Sequence, residues 1–363
     1  MNPTISHPFL TFHYPYTTMY QCSPSFPFAR EPVLRRMPDG SLLALMYTGG
    51  TQEPSRENVV AAVRSQDDGA TWSAPEVLFR HPFRSCWSTE LFTEGERPFL
   101  VFQTYDFRTY YSEVRAFVSY TGDSGRTWSE PASLPGIPPN VVVRQGKVLS
   151  DGTWLFPVYW TETRGDWQES IDGRPLSPKW NFCSGVLRSA DQVRTFTLHG
   201  CLRNRGHLWE PEVAEIAPGR LWMLLRSEEP GGVLWESESL DGGRTWSAAR
   251  PGAIPNPGTK VVLYRVRDRW ALVNNVCTPE QKLRNDLQIW VSDDGCRTWR
   301  KRIPLAWRPP DVEGDPKWDA PDAVGNICYP HGFADDAREQ LYLALDGMRQ
   351  FFLVKVPYAD LLA

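Results

Sequence analysis

Short apolar runs, each led in by a polar turn, recur along the chain: PDGSLLALMY (38–47), GERPFLVFQ (95–103), SDGTWLFPVY (150–159), PGRLWMLLR (218–226), RDRWALVNN (267–275) and REQLYLALD (338–346). Each run is strand-length, rich in aliphatic and aromatic residues, and preceded by Gly, Asp or Pro. No stretch of length keeps the i, i+3, i+4 spacing of an amphipathic helix. The six runs divide the 363 residues into units of about 60.

A second pattern interleaves with the first. Ser/Thr-x-Asp-x-Gly-x-Thr-Trp stands at Ser65–Trp72 (SQDDGATW), Thr121–Trp128 (TGDSGRTW) and Ser239–Trp246 (SLDGGRTW). In Ser292–Trp299 (SDDGCRTW) Cys296 replaces the glycine, and Ser189–Phe196 (SADQVRTF) carries Val193 and Phe196 in place of Gly and Trp. The ends of successive copies lie 56, 68, 50 and 53 residues apart. Asp in such a motif accepts backbone N–H groups of a turn, and Gly supplies the backbone conformation that other residues resist. Trp72, Trp128, Trp246 and Trp299 are read as packing residues between layers.

Repeats at this period predict an all-β fold, a six-bladed β-propeller of four-stranded antiparallel blades. No linker divides the chain, so 1–363 is expected to be a single propeller domain with residues 1–27 as an N-terminal lead-in, the last blade closed by strands from both termini. The 32 prolines, about 9% of the chain, agree by opposing long helices. If each blade runs A-B-C-D from the axis outward, the Asp-Gly turns join A to B and the repeated motifs join C to D. Both then lie on one face. The B–C loops and the blade-to-blade connections lie on the other, around the mouth of the axis, and a functional site there draws on them.

The repeated motifs resemble the Asp-boxes of the sialidase superfamily, whose fold is a six-bladed propeller, and the similarity runs from about Phe28 to the C-terminus. Arg30 in FAREP resembles the Phe-Arg-Ile-Pro start of sialidases. Glu210, in LWEPEVAEI, resembles the family's glutamate, and Arg226 in WMLLRS and Arg284 in LRNDLQIWVS resemble its second and third arginines. Tyr329, in NICYPHGF, stands where the family places its nucleophilic tyrosine. All five fall on the predicted mouth face. The resemblance implies retaining hydrolysis of a 2-keto acid glycoside. Three guanidiniums from different blades clamp a carboxylate, and Glu210 draws the proton from a tyrosine that is a poor nucleophile at its ordinary pKa of about 10. A buried structural pairing is the alternative for Arg226 with Glu210, and for Arg30 beside Glu31.

The family's acid/base aspartate has no counterpart. The loop GGTQEPSREN offers Glu53 and Glu57, and Glu53 is the candidate, with Asp106 a spare carboxylate. His331 and Trp209 are expected to line the substrate site; His207 is either polar lining or packing. Trp160, Trp167 and Trp180, around the long third B–C loop, are either sugar-stacking platforms or a hydrophobic plug. Tyr105, Phe107, Arg108, Tyr110 and Tyr111 are similar candidates in the second.

Composition narrows the partners. Lys and Arg number 39 against 43 Asp and Glu, a net charge of −4, which disfavours nucleic acid and anionic membrane. No run is long enough for a membrane helix. Seven scattered cysteines without Cys-x-x-Cys spacing and six histidines without His-Glu-x-x-His argue against disulfides and a metal site. No cofactor is expected. With no recognisable signal peptide at the start, the expectation is a cytoplasmic exo-acting glycosidase of sialidase type. Its substrate is an oligosaccharide or glycoconjugate with a terminal acidic sugar. The alternatives are a glycosidase or lyase for another sugar on the same fold, or a catalytically silent glycan- or protein-binding propeller.

Overall fold

The computed structural model describes residues 5–7, 9–95, 97–106, 113–137, 139–163, 180–192, 194–203, 207–227, 231–278, 283–310 and 326–363. Their strands form six antiparallel sheets around one axis. The apolar runs are the B strands: Leu42–Thr48, Phe99–Tyr105, Trp154–Thr163, Arg220–Ser227, Arg269–Asn275 and Gln340–Asp346. They read as nearly continuous apolar segments because a blade is covered on both faces by its neighbours, so both sets of alternating side chains are buried. The D strands at the rim, such as Glu76–Phe79 and Ala132–Ser133, are short and exposed, which limits edge-to-edge pairing.

Ring closure uses both ends of the chain. Tyr16–Gln21 is the outermost strand of blade 6, paired with Gln350–Pro357. The hairpin of Ile5–Ser6 and Thr11–Phe12 extends blade 5 to six strands through Phe12↔Ala306. A short helix, Tyr358–Leu362, follows blade 6.

All five repeated motifs sit between C and D strands and share the bonds of their aspartate to the leading Ser/Thr and to the later threonine. In the first, Ser65 Oγ donates to Asp67 Oδ1 (2.7 Å) and accepts from the Gly69 amide (2.7 Å). Thr71 donates its amide to Oδ1 (2.9 Å) and its hydroxyl to Oδ2 (2.6 Å). These bonds, Thr71's foremost, hold Asp67 at about 2. Cys296 adopts the turn glycine's left-handed conformation at φ 65°. Trp72, Trp128, Trp246 and Trp299 each pack against the apolar core beside their blade, as expected. All seven cysteines are free.

Candidate functional site

Nearest the axis, the A strands depart from regular pairing at one common level. In blade 1 the register passes from Arg30↔Tyr47 to Val33↔Leu45, in blade 4 from Trp209↔Arg226 to Glu212↔Leu224, and in blade 6 from Cys328↔Asp346 to His331↔Ala344. Each step inserts one extra residue, a β-bulge that turns a side chain out of the pleat. The inserted pairs are Glu31-Pro32, Glu210-Pro211 and Tyr329-Pro330, with left-handed φ of 49°, 46° and 47° at their first residues. Such a backbone costs on the order of 1–3 kcal/mol per residue and persists where the surrounding structure enforces it. Blades 2 and 3 break register at the same level around Thr89 and Arg144, and Lys260 precedes the first ladder residue of blade 5. Glu31, Thr89, Arg144, Glu210, Lys260 and Tyr329 therefore form a ring, one residue from each blade.

Two hydrogen-bonded groups span this ring. Tyr329 Oη donates to Glu210 Oε1 (3.0 Å) and accepts from Arg226 Nη1 (2.7 Å), which also bonds Glu210 Oε2 (3.0 Å). Arg144 pairs with Glu31 Oε2 at 3.2 Å. The guanidiniums of Arg30 and Arg284 lie 5.2 and 5.6 Å from the Tyr329 ring centre. Arg284 donates to the Gly258 carbonyl at 2.6 Å. Arg30 is held by Asp346, fully buried at the end of blade 6's B strand, at 2.9 Å, and the Glu31 amide donates to the same oxygen. Arg226 stacks 4.1 Å above the Trp209 ring.

The electrostatics follow from this crowding. Burial opposes ionisation of Glu210, but Arg226, Arg144 and Arg284 outweigh it and hold the carboxyl at about 2. Burial pushes the Tyr329 hydroxyl above its ordinary value; Glu210 adds to the rise, while Arg226 and Arg284 oppose it. The resting pair is a neutral phenol donating to a carboxylate. Burial raises the Glu31 carboxyl against the pull of Arg144.

The sequence candidates divide clearly. Tyr329, Glu210, Arg226, Arg30, Arg284 and Trp209 are brought together at the mouth. Glu53 is half-buried in the first B–C loop, within electrostatic reach of Arg30 and Glu31. Glu57 is exposed and bound to Ser55 and Arg56. His331 lies one step below Tyr329 and is buried, its Nδ1 accepting the Leu34 amide at 3.2 Å. Asp106 is buried in blade 2, and its charge is felt at Arg84. His207 packs edge-on to Phe182. Trp160 belongs to the core between blades 2 and 3, and Tyr105 is buried with its hydroxyl 2.8 Å from that of Tyr47. Phe107, Arg108, Tyr110, Tyr111, Trp167 and the Trp180 side chain lie outside the described residues.

Sequence reading missed three features: Asp346 as the anchor of Arg30, the Glu31–Arg144 pair, and Lys260. Glu31 had a signal. Glu31-Pro32, Glu210-Pro211 and Tyr329-Pro330 repeat one residue-proline step at the same place in three blades, and only the last two were singled out. A cavity of about 770 Å³ opens at the opposite end of the axis, among the A–B turns, and holds none of the candidate catalytic residues.

Solved structures share this architecture. A Hadza microbial sialidase superposes with a TM-score of 0.69 at 18% identity, over 92% of this chain and 66% of its own. This chain thus spans just under two thirds of that sialidase. A Dyadobacter fermentans protein of unknown function gives 0.69 at 16% identity, covering 96% and 99%. A sialidase from Streptococcus pneumoniae gives 0.67 at 13% identity, covering 96% and 71%. At these identities the likeness is one of fold. No curated protein sequence matches the chain. The BNR repeat-like domain family matches residues 43–337. With its five Asp-box turns and six-bladed, sialidase-like propeller, the chain belongs to the BNR repeat-like domain family.

Proposed function

We propose that the protein is an exo-acting glycoside hydrolase of sialidase type, releasing a terminal acidic sugar from an oligosaccharide or glycoconjugate with retention. The observation that carries this reading is the Tyr329–Glu210–Arg226 group at 2.7–3.0 Å, with Arg30 and Arg284 over the tyrosine ring. A substrate carboxylate bound by the three guanidiniums sets the anomeric carbon over Tyr329. Drawing Arg226 and Arg284 toward the substrate also removes the charge that keeps Glu210 so acidic, so binding makes Glu210 a stronger base as it is needed. Tyr329 Oη then attacks the anomeric carbon, its proton passes to Glu210, and the glycosidic C–O bond breaks with the aglycone protonated by Glu53. In the second half water, with Glu53 as base, attacks the anomeric carbon of the tyrosyl glycoside, the bond to Tyr329 Oη breaks, and Tyr329 recovers its proton from Glu210.

A neutral phenol suits a reacting centre that already carries an anionic substituent, where a carboxylate nucleophile is repelled. The substitution of Glu53 for an aspartate favours a second reading, the same chemistry on a different acidic sugar. Aryl sialosides and aryl glycosides of other acidic and neutral sugars, assayed with purified protein, separate the two. New absorbance from an unsaturated product marks a lyase instead. Tyr329→Phe is expected to lower kcat/KM on the best substrate by at least about 100-fold, the scale of removing an activated nucleophile or its proton transfer. Full activity in that variant refutes the mechanism.

A further inference from the structure

Among the described residues, several cations in and below the candidate site meet carboxylates. Arg35 meets Glu90 at 2.9 Å, Lys147 meets Glu212 at 2.5 Å, Arg144 meets Glu31 at 3.2 Å and Arg226 meets Glu210 at 3.0 Å. Lys260, only 6% exposed, has no hydrogen bond or ion pair among the described residues; its ammonium lies 5.8 Å from the Tyr329 ring centre. It lines a small axial cavity of about 10 Å³ together with Thr89, Arg144, Gln145, Glu212 and His331. That is room for one atom-sized occupant.

His331 supplies the second observation. Its Nδ1 accepts from the Leu34 amide and lies 3.2 Å from Arg35 Nη1, so the ring proton of the neutral imidazole resides on Nε2. Nε2 is buried without a partner. Burial, then Arg35, Lys260, Arg144 and Lys147, keep this ring neutral, which shows how positive its surroundings are even with Glu31, Glu90 and Glu212 on three of those cations. Burial and Arg144 lower Lys260 to about 8 against the opposing pull of Glu31, Glu210 and Glu212, so it is mostly charged at neutral pH.

We propose that this cavity is a binding site for a single monovalent anion of halide size, held by the Lys260 ammonium and the His331 Nε2–H. A lysine without an ion pair and a histidine with a buried, orphaned N–H line one small space; leaving both so is costly, and one anion relieves both. A water relieves only the hydrogen bonds and leaves the charge. The proposal does not rest on the glycosidase reading, since it invokes neither a substrate nor the reaction.

The test is diffraction from crystals soaked in 0.5 M sodium bromide (about the concentration at which a site of 50 mM affinity is nine-tenths filled), collected at the bromine edge. An anomalous peak in the axial cavity within hydrogen-bond reach of Lys260 and His331 is expected. No peak there, with a water or nothing in its place, overturns the proposal. In parallel, thermal unfolding of the wild type is measured in sodium chloride or bromide and in sodium gluconate at equal ionic strength. A rise of about 2 °C in 0.5 M halide (about ten times a 50 mM Kd) is expected, lost in Lys260→Met. A halide effect retained by Lys260→Met, or none in the wild type, refutes the assignment. Should that variant not fold, the anomalous map decides alone.

Discussion

Asp346 is where the propeller ring and the candidate site depend on the same atoms. It ends the B strand of blade 6 and accepts from Arg30 Nε (2.9 Å), the Glu31 amide (2.9 Å) and the Met348 amide (2.6 Å), with its side chain fully buried. Blade 1 is thereby fastened to blade 6 at the seam where the circle closes. Asp346→Ala leaves a guanidinium and two amides without their acceptor. Removing one member of a buried pair costs about 3–5 kcal/mol. Arg30 keeps 12% of its side chain exposed and recovers some hydration, so the lower half of that range, about 3–4 kcal/mol, is expected. Asp346→Asn keeps the shape and one carbonyl oxygen but loses the charge, and is expected to cost about 1.5–3 kcal/mol. Urea unfolding followed by tryptophan fluorescence measures both, provided the slope m is unchanged. With an active substrate in hand, either variant should raise KM more than it lowers kcat, because Arg30 is loosened while Tyr329 and Glu210 are left in place. An alanine variant within about 0.5 kcal/mol of wild type, or an asparagine variant worse than alanine, refutes the reasoning.

Two further outcomes follow from the same structure. Threonine hydrogen bonds hold Asp67, Asp191 and Asp294 at about 2, below the ordinary 3.8. The unfolded chain therefore binds protons first, so stability from the turns is complete above about pH 4 and is lost as pH falls toward 2; an acid titration of stability in which Asp67→Asn leaves the slope over that window unchanged counts against it. The Glu31–Arg144 pair should show strong coupling: Arg144→Met alone is expected to cost about 3–5 kcal/mol at pH 7, and adding Glu31→Gln should restore at least half. Simple additivity in the urea-measured cycle shows that the two do not act as a pair.

Much of the architecture was legible in the chain because local chemistry repeats with it. An Asp-box works through bonds confined to eight residues, so Ser65–Trp72 and its four copies declare their turns without tertiary help. The B strands announce themselves by continuous apolar runs, since blades bury both faces. Once the strand order was set, the alternation of faces put Arg30, Glu210, Arg226, Arg284 and Tyr329 at one end of the axis. What the sequence did not contain is which charges meet. Arg30 stands next to Glu31, yet its partner is Asp346, 316 residues away, because a bulge turns Glu31 toward Arg144 across the axis. Such pairings are decided by which inner strands the closed ring brings face to face. Lys260, an ordinary lysine in PGTKVVLY, becomes a buried, unpaired cation only because five other strands surround it. The tertiary structure decided the site's electrostatics, since burial and long-range neighbours, unlike turn chemistry, are properties of the assembled ring.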